Sequence, residues 1–198
     1  MIFESSPWKQ QLLRDAGNLK RISKSPLGES NEDVLLTRLE RLIFVGAYSM
    51  RKLHESGKLS TDWTKIKLSC TRFEFVGKCA PTILDAHKID RFYELANPLD
   101  IRMPSDEFCD RVVHSFIFAP VVGEQGCVDG FHLTSDRLKK QCLWFVPLAE
   151  VITLMVRTGK DYPSDGVWIR TASGELKIWA GNGEPPAGWL ASAKKLRR

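Results

Sequence analysis

The chain has 198 residues, 43% hydrophobic and 27% charged, so it can bury a full core and is too apolar to be a disordered segment. Its formal net charge is +5, but Lys194, Lys195, Arg197 and Arg198 hold four of those charges, and subtracting four from +5 leaves +1 for the rest, too little for a broad electrostatic footprint on nucleic acid. Cys70, Cys79, Cys109, Cys127 and Cys142 form no C-x-x-C pair, and an odd count argues for a reduced, cytoplasmic protein over a disulfide scaffold or a thiolate zinc site.

The first residues hold no basic stretch followed by an apolar run, so no signal peptide is expected. In chain order, Ser6-Pro7 opens a short helix over 7–20, with Trp8, Leu12 and Leu13 on one side. A link rich in Ser, Pro and Gly follows over 23–30. The next helix is the clearest: Ser30 or Asn31 caps it, Glu32 and Asp33 sit at its positive end, and Gly57 stands where a left-handed terminal residue belongs. Leu35, Leu39, Leu42, Ile43, Gly46, Met50 and Leu53 recur at helical spacing. About 26 residues at about 1.5 Å each give roughly 39 Å, enough to cross a small domain.

Residues 65–76 alternate as a strand, but Ile66, Leu68 and Cys70 hold even positions whereas Phe73 and Phe75 hold odd ones, which predicts a bulge or bend near Thr71. Thr82-Ile83-Leu84-Asp85 reads as a capping box whose helix stops before Asn97-Pro98. A brief helical turn capped by Ser105 then leads into strands over 115–122, 127–134 and 141–146, an antiparallel meander in which Pro120 places its strand at an edge or ends its pairing there. Pro147 opens a helix that buries Leu148, Val151, Ile152 and Met155 and ends at Gly159. The longest apolar run, 142–156, is too short to span a bilayer and carries Pro147 and Glu150, so no membrane partner is expected.

The most legible local pattern comes last. Val167-Trp168-Ile169-Arg170-Thr171 and Leu176-Lys177-Ile178-Trp179-Ala180 alternate on either side of Ser173-Gly174, as a β-hairpin does. A loop of two or four residues sets Trp168 opposite Trp179, Arg170 opposite Lys177 and Ile169 opposite Ile178. One face is then aliphatic and the other is Trp/Arg/Lys/Trp. Like charges directly across a ladder repel, so Arg170 and Lys177 need a carboxylate, a phosphate or water between them. This is either a solvated outer face or a binding surface, since Trp and Arg dominate interface hot spots. Trp189, beyond the arm at 181–188, adds an anchor.

Together the elements predict an α+β fold: an antiparallel β-meander plus a C-terminal β-hairpin, packed with a long N-terminal helix and two or three shorter helices. The expected division is an α+β core domain over 1–160, a Trp-bearing hairpin and arm over 161–190 that belongs to the same domain, and a basic tail over 191–198.

Enzyme signatures are scarce. There is no Gly-rich phosphate loop, G-x-S-x-G or H-E-x-x-H, and no motif calls for a cofactor. His114, Glu124, Asp129, His132 and Asp136 surround the first meander turn, and metal-assisted hydrolysis uses imidazoles and carboxylates converging from adjacent strands. A four-residue loop at 123–126 pairs Val122 with Cys127, Phe118 with Phe131 and Ile117 with His132. Phe116, Phe118, Phe131, Leu133 and His114 then share one face, while His132 points the other way. Cys127 and His132, the nearest thiol and base, also fall on opposite faces. The leading expectation is a non-catalytic protein that docks on a protein partner through Trp168, Arg170, Lys177, Trp179 and Trp189. The alternatives are a nucleic-acid binder using the same face and the basic tail, and a metal-dependent hydrolase around His114, Asp129 and His132. No sequence feature sets the oligomeric state.

Overall fold

Apolar residues at helical spacing form α1 (Ser6–Ile22), α2 (Glu32–Glu55), α3 (Ile89–Phe92), α4 (Ser105–Val113) and α5 (Leu148–Gly159). The strands are β1 (Lys67–Glu74), β2 (Leu99–Pro104), β3 (Ser115–Val122), β4 (Val128–Ser135), β5 (Cys142–Pro147), β6 (Asp165–Arg170) and β7 (Leu176–Gly181). The computed structural model describes residues 2–170, 174, 176–187 and 189. The fold is α+β: β1 to β5 make one antiparallel sheet in the order β2-β1-β5-β4-β3, and β6 and β7 pair as a separate ribbon. β3, β4 and β5 are the expected meander. β3 is an edge strand, where the missing N–H of Pro120 breaks no central ladder.

The sheet buries apolar side chains on both faces, on the second only in part, since Lys67, Ser69, Asp100 and Arg102 there are exposed. On one face, Leu68, Phe131, Leu133 and Val146 meet Leu12 and Leu19 of α1, Leu39, Ile43 and Met50 of α2, Phe108 and Val112 of α4, and Val151 and Met155 of α5. On the other, Phe73, Leu143 and Ile117 are covered by Phe92 and Tyr93 from the segment between β1 and β2. This double burial corrects the expected bend at Thr71. β1 pairs with β2 and with β5 in unbroken register. The apolar residues change phase because Leu68 and Cys70 face the helices while Phe73 and Phe75 face the second cluster.

Other departures have local causes. Thr82 donates through its N–H at 2.6 Å and its hydroxyl at 2.7 Å to Asp85 Oδ1, yet no long helix grows from this turn. Ile83 and Leu84 are almost fully exposed, the apolar residues that do pack are Ala86, Ile89, Phe92 and Tyr93, and only the single turn α3 forms. α4 runs for 9 residues, and Ser105 does not cap it, because its hydroxyl donates to Trp63 O at 2.8 Å. β2 adds a strand that the sequence pattern did not signal. β3 and β4 pair with Phe118 opposite Leu133 and Ala119 opposite His132, two places from the expected register, which preserves parity. A register shift between Ser115 and Ile117 turns Phe116 into the second cluster, away from Phe118.

Candidate docking surface

β6 and β7 pair with Val167 opposite Trp179, Trp168 opposite Ile178, Ile169 opposite Lys177 and Arg170 opposite Leu176. The expected register is therefore wrong by one residue. Arg170 and Leu176 are separated by the odd-numbered stretch 171–175, and the parity of a hairpin loop decides which residues share a face. Gly174 has φ of 85°, the left-handed conformation that glycine adopts most readily.

The consequence is a different surface. Trp179 shares a face with Val167 and Ile169 and is 8% exposed. Trp168 looks the other way and is 58% exposed, on the same face as Arg170, Leu176 and Ile178. Leu176 is 51% exposed, and Arg170 is exposed beside it. Lys177 is exposed on the Trp179 face, so the like-charged pair Arg170 and Lys177 is never set across the ladder. Trp168 and Arg170 stay together; Lys177 and Trp179 leave them.

Two glycines make room for the indoles. A Cβ on Gly166 would lie 2.5 Å from Trp168 Cη2, and one on Gly181 would lie 2.9 Å from Trp179 Cζ2, so each ring folds along its strand over a glycine two places away. The ribbon is tied to the body through Ala180, whose N–H donates at 2.9 Å to Thr61 Oγ1 in the 3-10 turn Thr61–Lys65. Ile178 rests against Gly57, the left-handed residue (φ 63°) that ends α2 as the sequence predicts. At the ribbon's base Ser164 N–H donates to Asn182 Oδ1 at 3.0 Å and Gly183 N–H to Asp165 Oδ2 at 2.9 Å. Trp189 is half-buried, and its N–H donates to Pro186 O at 2.8 Å. The basic tail lies outside the described residues.

His114, Asp129 and His132 are not brought together. His114 follows α4, with Nε2 3.3 Å from Arg51 Nη1, which also pairs with Asp110 at 3.0 Å. His132 points from the other side of the sheet, its ring centroid 5.8 Å from Phe73 and 5.9 Å from Phe145, and burial pulls its imidazole below the usual histidine value. Asp129 lies across the Gly123 turn. Among the described residues no three His, Cys, Asp or Glu side chains are grouped to hold a metal ion. Burial pushes the Cys70 thiol up to about 12 and raises Cys109 and Cys142, so these three thiols stay protonated.

A hollow of about 790 Å³ lies between the end of α4 and the turn from β4 to β5, with Arg111, His114, Ser135, Arg137 and Gln141 on its wall. Arg111 pairs with Glu107 at 2.8 Å and lies 3.8 Å from the Trp144 ring centroid. Nothing in the sequence marks it beyond one cation beside the apolar stripe of Phe108, Cys109 and Val112. No protein-family model matches the chain, and no curated protein or solved structure matches it either.

Proposed function

We propose that this chain is a non-catalytic docking protein that engages a protein partner through the outer face of its β6–β7 ribbon. Trp168 carries the reading: an indole 58% exposed, flanked by Arg170 and Leu176, on strands that pair only with each other among the described residues. An amphipathic ring beside a guanidinium and a leucine combines apolar area with a charge that suits an acidic rim on the partner. Trp179 supports the ribbon from its buried side and leaves recognition to Trp168. The exposed part of this face favours protein over nucleic acid, because among the described residues Arg170 is its one cation and its other large members are Trp168 and Leu176, whereas Ile178 packs against Gly57. No cofactor is needed.

The test places a photo-crosslinking residue at position 168 of the full chain in its native cells. The expected result is a discrete covalent adduct with one protein, reduced at least about tenfold by Arg170→Glu with Leu176→Asp. Background crosslinking, or an adduct indifferent to that pair of substitutions, refutes the proposal.

A further inference from the structure

The cations of the body are not spread evenly. Lys65 ends the 3-10 turn, Lys67 starts β1, Arg102 lies in β2 and Arg157 in the last turn of α5, and these four line one hollow of about 460 Å³. Lys67 stands opposite Pro104 and Ser69 opposite Arg102, so Lys67 and Arg102 are diagonal neighbours on one face of the sheet. Like charges gathered on one wall repel, water screens them in part, and an anion among them is favoured. Asp62, the carboxylate on the wall, is already paired with Lys65 at 2.6 Å. Lys67, Arg102 and Arg157 have no carboxylate within 4.0 Å among the described residues.

Two neighbouring hollows share wall residues with it. One shares Arg102 and takes in Ser69, Thr71 and Asp100; another shares Asp62 and Arg157 and takes in Lys160 and Asp161. Asp161 is engaged by Ser60, accepting from its N–H at 2.8 Å and its hydroxyl at 2.9 Å. We infer that this groove binds the phosphodiester backbone of nucleic acid without reading its bases. The four cations are all exposed, which suits an extended polyanion sliding along an open channel better than an enclosed small molecule. Trp63, the aromatic residue of the groove, is 1% exposed and offers no ring for base stacking. A concave groove follows a strand or the ridge of a duplex, whereas a planar bilayer bridges it.

Fluorescence anisotropy with a labelled duplex and its single strand tests the inference on the full chain with Lys194, Lys195, Arg197 and Arg198 changed to Gln, which removes the tail's own attraction. Four phosphate contacts give a slope of about −3.6 for log K against log salt on duplex, so affinity falls about a hundredfold between 50 and 200 mM salt. Lys67→Gln, Arg102→Gln and Arg157→Gln each flatten the slope by about 1 unit, and together they weaken binding at least about tenfold at low salt. The single variants give the answer even where the triple variant is unstable. No binding at low salt, a slope unchanged by the substitutions, or groove-dependent co-sedimentation with phosphatidylserine vesicles in place of nucleic acid overturns it.

Discussion

Lys9 is 1% exposed, rare for a lysine, and its ammonium explains the burial. It donates to Lys58 O at 2.8 Å and to Asp161 O, and it lies 4.2 Å from the Tyr162 ring centroid. One side chain thus ties α1 to the loops that follow α2 and α5. Lys9→Met keeps the stem and leaves both carbonyls without this donor, so urea denaturation should show a loss of about 1–3 kcal/mol. His132 gives a pH signature. Its folded value lies below the ordinary 6.5, so under acid the unfolded chain takes the proton first and stability falls as pH drops below 6.5. His132→Leu removes that contribution. The difference in urea midpoint between about pH 7.5 and 5.5 should shrink in the variant; an unchanged difference would place the acid sensitivity elsewhere. Neither residue's role was legible in the sequence, because lysine on a helix and histidine in a strand are ordinary until partners far along the chain close over them.

Among the elements, α1 and α5 cross where Gly159 lets the backbones approach. A Cβ there would lie 2.7 Å from Leu13 Cγ and 2.9 Å from Lys9 O, and the carbonyl cannot move without disturbing α1. Gly159→Ala should cost about 1–3 kcal/mol as overpacking at the crossing. Gly17, inside α1, has nothing within 4 Å of its own added Cβ. Gly17→Ala should stabilise by about 0.5–1 kcal/mol through helix propensity alone, and thermal melts of the two variants must move in opposite directions. Element by element, the sequence was read well where an apolar period is long, as in α1, α2, α5 and the meander. It was read poorly where the period is short or serves two faces. β2 has only 6 residues, and β1 changes its buried side midway, which in one dimension is indistinguishable from a bulge.

At the scale of the molecule, the two surfaces proposed for recognition differ in chemistry. The ribbon presents Trp168, Arg170 and Leu176, while the groove draws Lys65, Lys67, Arg102 and Arg157 from four elements. Among the described residues no helix is long and apolar enough to cross a membrane. The expected four-residue platform was half legible: Trp168 and Arg170 share a face because they are two places apart on one strand, a fact fixed by the pleat. Lys177 and Trp179 depended on the register, which the strand pairing sets one residue away from the expected one.

The order of amino acids by itself determined the helices of α1, α2 and α5, the meander and the left-handed stop at Gly57, because each follows from backbone geometry within a few residues. Only the tertiary structure decided that Trp179 is buried and Trp168 exposed, that the sheet buries apolar side chains on both faces, that Lys9 lies inside, and that four scattered cations line one groove. Those outcomes rest on strand register and on contacts between residues far apart in the chain, and local periodicity carries no term for either.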